Sequence, residues 1–181
     1  MRYWLSLAFA IIILSGIVFY FNEQRQERHY VKAITCWNNL KSAMLSIQIY
    51  SGYYENEANP SFMPPSMDTV IEGNYLEKSY TICPLCGMEY RFVPYRTISD
   101  ESASRYIPVL IDKIGCHDWH PIVPWQTVLP KTHVAFADGH VEILENLTCY
   151  MDIFRKYVDS LSEENAEILK KYCKEWDNES R

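Results

Sequence analysis

The stretch YWLSLAFAIIILSGIVFYF, Tyr3 to Phe21, runs straight into NEQRQERHYVKAITCWNNLKSAMLSIQIYSGYY, Asn22 to Tyr54, and these two pieces decide the fold. The first is 19 residues without a charge. As a helix it reaches about 28 Å, close to the hydrocarbon thickness of a bilayer. Tyr3, Trp4, Tyr20 and Phe21 put aromatic rings at its two ends, as interfacial anchors require. No small-x-small cleavage site follows; Phe19, Tyr20, Phe21 and Asn22 come instead. An uncleaved anchor is therefore expected ahead of a cleaved signal peptide or a soluble core helix.

The second piece has no Pro, and no Gly before Gly52. Val31, Ile34, Trp37, Leu40, Met44 and Ile47 recur three or four apart, which places them on one helical face. Gln24, Arg25, Arg28, Asn38 and Lys41 lie largely off that stripe. One helix from Tyr3 to about Tyr54 would be about 75 Å long, half in lipid and half offering its stripe to a soluble domain. The alternative is two helices parted near Asn22. The short N-terminal end and larger C-terminal body fit a single-pass signal anchor with the body outside. The basic residues Arg25, Arg28 and Lys32, diluted by Glu23 and Glu27, slightly favour the opposite orientation.

The remaining chain is enough for one modest core. A net charge of -6 and a pI near 5.4 argue against a nucleic-acid-binding surface. Pro60, Pro64 and Pro65 forbid a long helix after Tyr54. Ser66 caps a short helix, Met67 to Glu72, which Gly73 ends. Strand-like runs follow at Glu89–Tyr95, Tyr106–Ile111, Thr132–Ala137 and Val141–Leu144. The last two are joined by Asp138-Gly139, a strong hairpin signal. With those two as the turn, Ala137 faces His140 and Val134 faces Ile143. Val134, Phe136, Val141 and Ile143 then form one apolar face, and His133, Ala135, Ala137, His140 and Glu142 the other. His133 and His140 would lie about 13 Å apart, too far to share a metal, so this histidine cluster reads as structural. From Asn146 the tail is helical, divided near a Ser160-Leu161-Ser162-Glu163 capping box.

The chain resembles the pilin-like and pseudopilin-like proteins that carry a prepilin-type processing-associated domain. The resemblance is carried in order by Thr35–Asn56, Pro64–Pro84, Glu89–Pro94 and His133–Leu144, and covers roughly residues 30 to 145. It implies a membrane-embedded N-terminal helix packed on a small antiparallel sheet, outside the cytoplasmic membrane of a bacterium. It also implies a part in pilus-like or type II secretion-like assembly, with other pilin-like subunits or secretion-system proteins as partners. Two departures stand out. The family's processing signal is a Gly followed by Phe-Thr-Leu-Ile-Glu, whereas Gly16 here precedes Ile17-Val18-Phe19-Tyr20. Many members also carry a His upstream of the Asp-Gly, where this chain has Val128.

Cys83-Pro84-Leu85-Cys86-Gly87 has the form of a zinc knuckle, a tight turn that aims two thiolates at one ion. Downstream, Cys116, His117 and His120 can complete a tetrahedron, and the ligand set expected is Cys83, Cys86, Cys116 and His120. Outside the cytoplasm thiols also pair as disulfides, so zinc, disulfides and reduced thiols all stay open. Cys36, Cys149 and Cys173 fall on helices, where a buried thiol is the default. No phosphate loop, nucleophile elbow or His-Glu-x-x-His occurs, so no enzyme is expected.

The expectation is thus an α+β protein: a membrane anchor over 1–22, a pilin-like α+β domain over 23–145 and a helical C-terminal extension over 146–181. Its function would be structural, as a pseudopilin-like assembly component. The alternative is an extracytoplasmic binding module stabilised by zinc or disulfides.

Overall fold

A computed structural model describes residues 2–54, 63–95, 104–117 and 131–180. Helix α1, Arg2–Tyr54, is unbroken over 53 residues, with no parting at Asn22. Its second half is clad. Cys36, Leu40, Ala43, Met44, Ile47 and Tyr50 are buried, a stripe at helical spacing. Val31 and Ile34, which share the apolar period, stay exposed, Ile34 beside an open groove between α1 and the sheet. Phe9, Ile11 to Leu14 and Ile17 to Phe21 are exposed too. Among the described residues, no helix is long and apolar enough to cross a membrane. The run from Tyr3 begins ahead of the side chains that are described.

Short helix α2, Met67–Glu72, is capped by the Ser66 hydroxyl, which accepts from Thr69 N, and closes at Gly73. A 3-10 turn at Lys78–Thr81 leads to the Cys83 knuckle. Four antiparallel strands follow: β1 (Arg91–Phe92), β2 (Pro108–Ile111), β3 (Lys131–Phe136) and β4 (Val141–Glu145), in the order β1-β2-β3-β4. Helices α3 (Tyr150–Tyr157) and α4 (Glu163–Glu179) complete the chain. The cap of α4 is Ser162, whose hydroxyl accepts from Asn165 N, so the expected capping box at Ser160 lies two residues early.

The β3–β4 hairpin departs from the two-residue turn. Phe136 N donates to His140 O at 2.9 Å and Gly139 N to Phe136 O at 2.8 Å. The loop is therefore three residues, Ala137-Asp138-Gly139, with Gly139 at φ +90°. A turn followed by a left-handed glycine bulge has this form. The Asp138 carboxylate accepts from His140 N at 3.0 Å and tightens the loop.

One extra loop residue slides the pairing by one. His133 now faces Ile143, Val134 faces Glu142 and Ala135 faces Val141. The expected apolar face is thus split: Val134 and Phe136 lie on one side of the sheet, Val141 and Ile143 on the other. His133 shares its side with α1, where Cys36 Sγ lies 3.5 Å from its Nδ1. The opposite side meets the C-terminal helices. The Phe136 ring packs edge-on against Tyr157 at 5.1 Å, and Arg91 reaches Glu179 at 2.9 Å. Asp177 of α4 accepts from Tyr150 N and Met151 N at the start of α3. The fold is α+β with three layers: α1, the sheet, and the α3–α4 hairpin.

Candidate metal centre

The strand register lines up three polar side chains under α1. Arg91 pairs with Ile111, and Ile111 with Val134. One step along, Tyr90, Asp112 and His133 stand side by side, with Asp112 N donating to His133 O at 3.0 Å. Cys36 of α1 closes over this row. Its thiol donates to Asp112 Oδ2 at 3.1 Å. The Tyr90 hydroxyl donates to both the Cys36 carbonyl and its sulfur at 3.3 Å.

Two turns supply the rest. In the knuckle, Gly87 N donates to Cys83 O at 2.8 Å and Cys83 N to Met88 O at 2.9 Å. Gly87 takes φ +69°, the left-handed region that favours glycine. The turn after β2 repeats the device: Cys116 N donates to Lys113 O at 3.0 Å, and Gly115 also takes φ +69°. Cys116 Sγ then sits 3.2 Å from Cys83 Sγ, beyond the length of a disulfide bond (about 2.05 Å), and both are free thiols. His117 Nε2 is 2.5 Å from Asp112 Oδ2 and 3.9 Å from Cys83 Sγ. The His117 and His133 rings are 4.0 Å apart between centroids.

Burial makes this cluster electrostatically demanding. Cys36, Cys83, Asp112, His117 and His133 are all buried. The Cys83 thiol is held far below its ordinary value by hydrogen bonds from Cys116, Cys36 and Cys86. Cys116 and Cys36, which hydrogen-bond to it, are pushed up correspondingly, and burial adds to the shift. At Cys86, Cys116 acts downward, while Cys83 and burial win and raise the thiol to about 11. Burial pushes the Asp112 carboxyl above the usual range, and its bond to His117 offsets only part of this. Burial pulls His117 down, but Asp112 and Cys83 together raise it to about 9. Burial, helped by the charge of His117, lowers His133 to about 4, which keeps it a neutral imidazole. His117 Nδ1 is buried without a hydrogen-bond partner among the described residues.

The donor atoms form two tight groups. Those of Cys83, Cys86, Asp112 and Cys116 all lie within 4.8 Å of one another, and so do those of Cys36, Asp112, His117 and His133. A tetrahedron with 2.3 Å zinc–sulfur bonds has edges of about 3.8 Å, so groups this tight can hold a metal ion. One flank of the cluster opens into a groove of about 1010 Å³ between α1 and the sheet, where His117 and His133 meet Ile34, Trp37, Lys131 and Ile143.

Of the ligand set expected from sequence, Cys83, Cys86 and Cys116 come together, and His120 lies outside the described residues. The sequence does not single out Asp112; its only signal there is a carboxylate ending the apolar run Ile107–Ile111. His133, expected in a structural hairpin, and Cys36, expected at an ordinary core position, are both drawn into the cluster. No family model, curated protein or solved structure matches the chain.

Proposed function

We propose that the protein is a membrane-anchored, pseudopilin-like assembly subunit of the bacterial envelope, with the knuckle and sheet of its soluble domain cross-linked by zinc. The observation that carries this reading is α1 itself. One uninterrupted helix exposes Phe9 and Ile11 to Phe21 at one end and buries the Cys36–Tyr50 stripe at the other. An exposed apolar run of that size needs lipid or a neighbouring subunit to cover it. The long clad helix on a small antiparallel sheet supports the pilin-like arrangement, with the body on the extracytoplasmic side.

Zinc suits the donors. Cys83, Cys86 and Cys116 offer three sulfurs and Asp112 an oxygen, and zinc favours sulfur-rich tetrahedra. Bound there, zinc would supply cross-linking between the knuckle, the β2 turn and the strand end. The chain's own contribution is the pair of glycine turns that aim the thiols before the ion arrives. The competing reading, a zinc-stabilised binding module, is favoured by the groove beside His117 and His133.

Two measurements test the proposal. Full-length protein expressed in a bacterium should pellet with membranes and resist carbonate extraction. A photo-crosslinking residue at Ile17 should trap multimers of the chain or defined neighbours in native membranes. Monomer alone would defeat the assembly role and leave the binding module. Protein purified without chelator should carry zinc; less than about half an equivalent would end the zinc reading, because structural sites hold their ion tightly.

A further inference from the structure

We propose that the cluster is built for two ions rather than one, bridged by the Asp112 carboxylate. The inference rests on the zinc reading above and extends it. The first ion would take Cys83, Cys86, Cys116 and one share of Asp112. The second would take Cys36, His117, His133 and the other share of Asp112. These are the two tight donor groups, and Asp112 is the residue common to both. Seven side chains thereby provide two complete four-donor sets.

Two observations favour two ions. One ion in the sulfur-rich set leaves Cys36, His117 and His133 behind, all buried and all within reach of one point. Ligand-type side chains packed this deeply ordinarily have an apolar or fully paired environment. Here, among the described residues, His117 keeps an unpartnered Nδ1, and no lysine or arginine hydrogen-bonds to any of the seven. The second observation is placement. Tyr90, Asp112 and His133 form one row across the sheet, and the only side chain of α1 that hydrogen-bonds to that row is Cys36, among the described residues.

The two positions differ in setting. All four residues of the second set are buried, and its two histidines line the groove, whereas Cys86 and Cys116 of the sulfur-rich set are only half-buried. The second ion is the only one of the two that ties α1 to the sheet, through Cys36.

The test uses full-length protein in detergent, loaded with zinc and freed of loose metal by gel filtration. Metal analysis should give about two equivalents per chain, falling to about one in the Cys36→Ser/His133→Gln double variant. X-ray absorption at the zinc edge supplies a readout that needs no variant. Two bridged ions predict an average of two sulfur and two nitrogen or oxygen ligands per zinc and a zinc–zinc scattering distance; one ion in the first set predicts three sulfurs to one oxygen. One equivalent with the three-to-one ratio would overturn the second position while leaving the zinc reading intact. No zinc at all would overturn both.

Discussion

Replacing Val134 and Ile143 separately by alanine tests the strand register, on which the cluster depends. In the two-residue-turn register these residues face each other on one apolar side, and both truncations should hurt alike. In the register observed they are on opposite sides: Val134 is 0% exposed, under the C-terminal helices, and Ile143 is 50% exposed at the groove. Val134→Ala removes two buried methyl groups at about 0.8 kcal/mol each and leaves a cavity, so about 2–3 kcal/mol is expected. Ile143→Ala removes side-chain atoms already half in solvent and should cost about 1 kcal/mol or less. For a chain of this size, each kcal/mol moves the midpoint by about 2–4 °C. Thermal melts of the zinc-loaded protein in detergent, followed by tryptophan fluorescence and near-UV circular dichroism, should therefore separate the two variants by several degrees. Ile143→Ala as damaging as Val134→Ala would refute the slid register, and with it the placement of His133 beside Cys36.

The hairpin itself gives a second prediction. At Gly139 a Cβ would sit in left-handed backbone and 3.3 Å from Gln48 Nε2, which donates to Ala137 O at 2.9 Å. Gly139→Ala should cost about 1–2 kcal/mol in urea titrations. Gly52→Ala, in open helix, should be neutral or stabilising, and equal effects would contradict the bulge. A third concerns acid. Burial raises Glu142, but the Tyr157 hydroxyl at 2.6 Å and Lys156 outweigh it and leave the carboxyl below its ordinary value. A lowered folded pKa gives stability that is present above the unfolded value near 4.5 and lost as pH falls through the folded one. Tyr157→Phe should thus flatten the pH dependence of the melting point below about pH 4.5, and an unchanged slope would exclude this pair as its source. Finally, Asp177→Ala removes the carboxylate that caps the first turn of α3 from α4. A loss of about 1–2 kcal/mol is expected, with faster amide exchange at Tyr150 and Met151; unchanged exchange there would argue against the cap.

The parts of the fold that were legible in the sequence are those governed by local rules. The absence of Pro and Gly from Asn22 to Ser51 keeps α1 continuous, and Ser66 with Gly73 bounds α2 at the expected residues. The Cys-Pro-Leu-Cys-Gly turn declared itself, because its spacing and its left-handed glycine are both local. What was not legible depended on one residue of loop length. Asp138-Gly139 supports a two-residue turn or a three-residue bulged loop about equally on local grounds, and the period of two converts that choice into a change of side for every residue in β4. His133 reads as structural for a different reason: its distance along the ladder from His140, while its actual neighbours Cys36 and His117 are remote in sequence. Asp112 and Cys36 were hidden for another reason: each sits in an apolar pattern, and only tertiary pairing places them opposite one another, 76 positions apart in sequence.

The position of Cys36 along the rod gives the cluster a mechanical meaning. It is the first buried residue of α1, and no described side chain on its N-terminal side is buried. Some 50 Å of helix therefore lies beyond the last buried contact. Load applied through that length, by lipid or a neighbouring subunit, acts as a lever on the last contact. Apolar packing is non-directional and lets a helix roll or slide at small cost, because one aliphatic neighbour substitutes for another. A bond from Cys36 to an ion shared with the sheet fixes both rotation and register at that point. The first sign of metal loss should then be loosening of the helical turn around Cys36, while Leu40 to Ile47 remain packed. Amide exchange that accelerated uniformly from Cys36 to Tyr50 on chelation would show instead that the ion holds the whole interface and not its end.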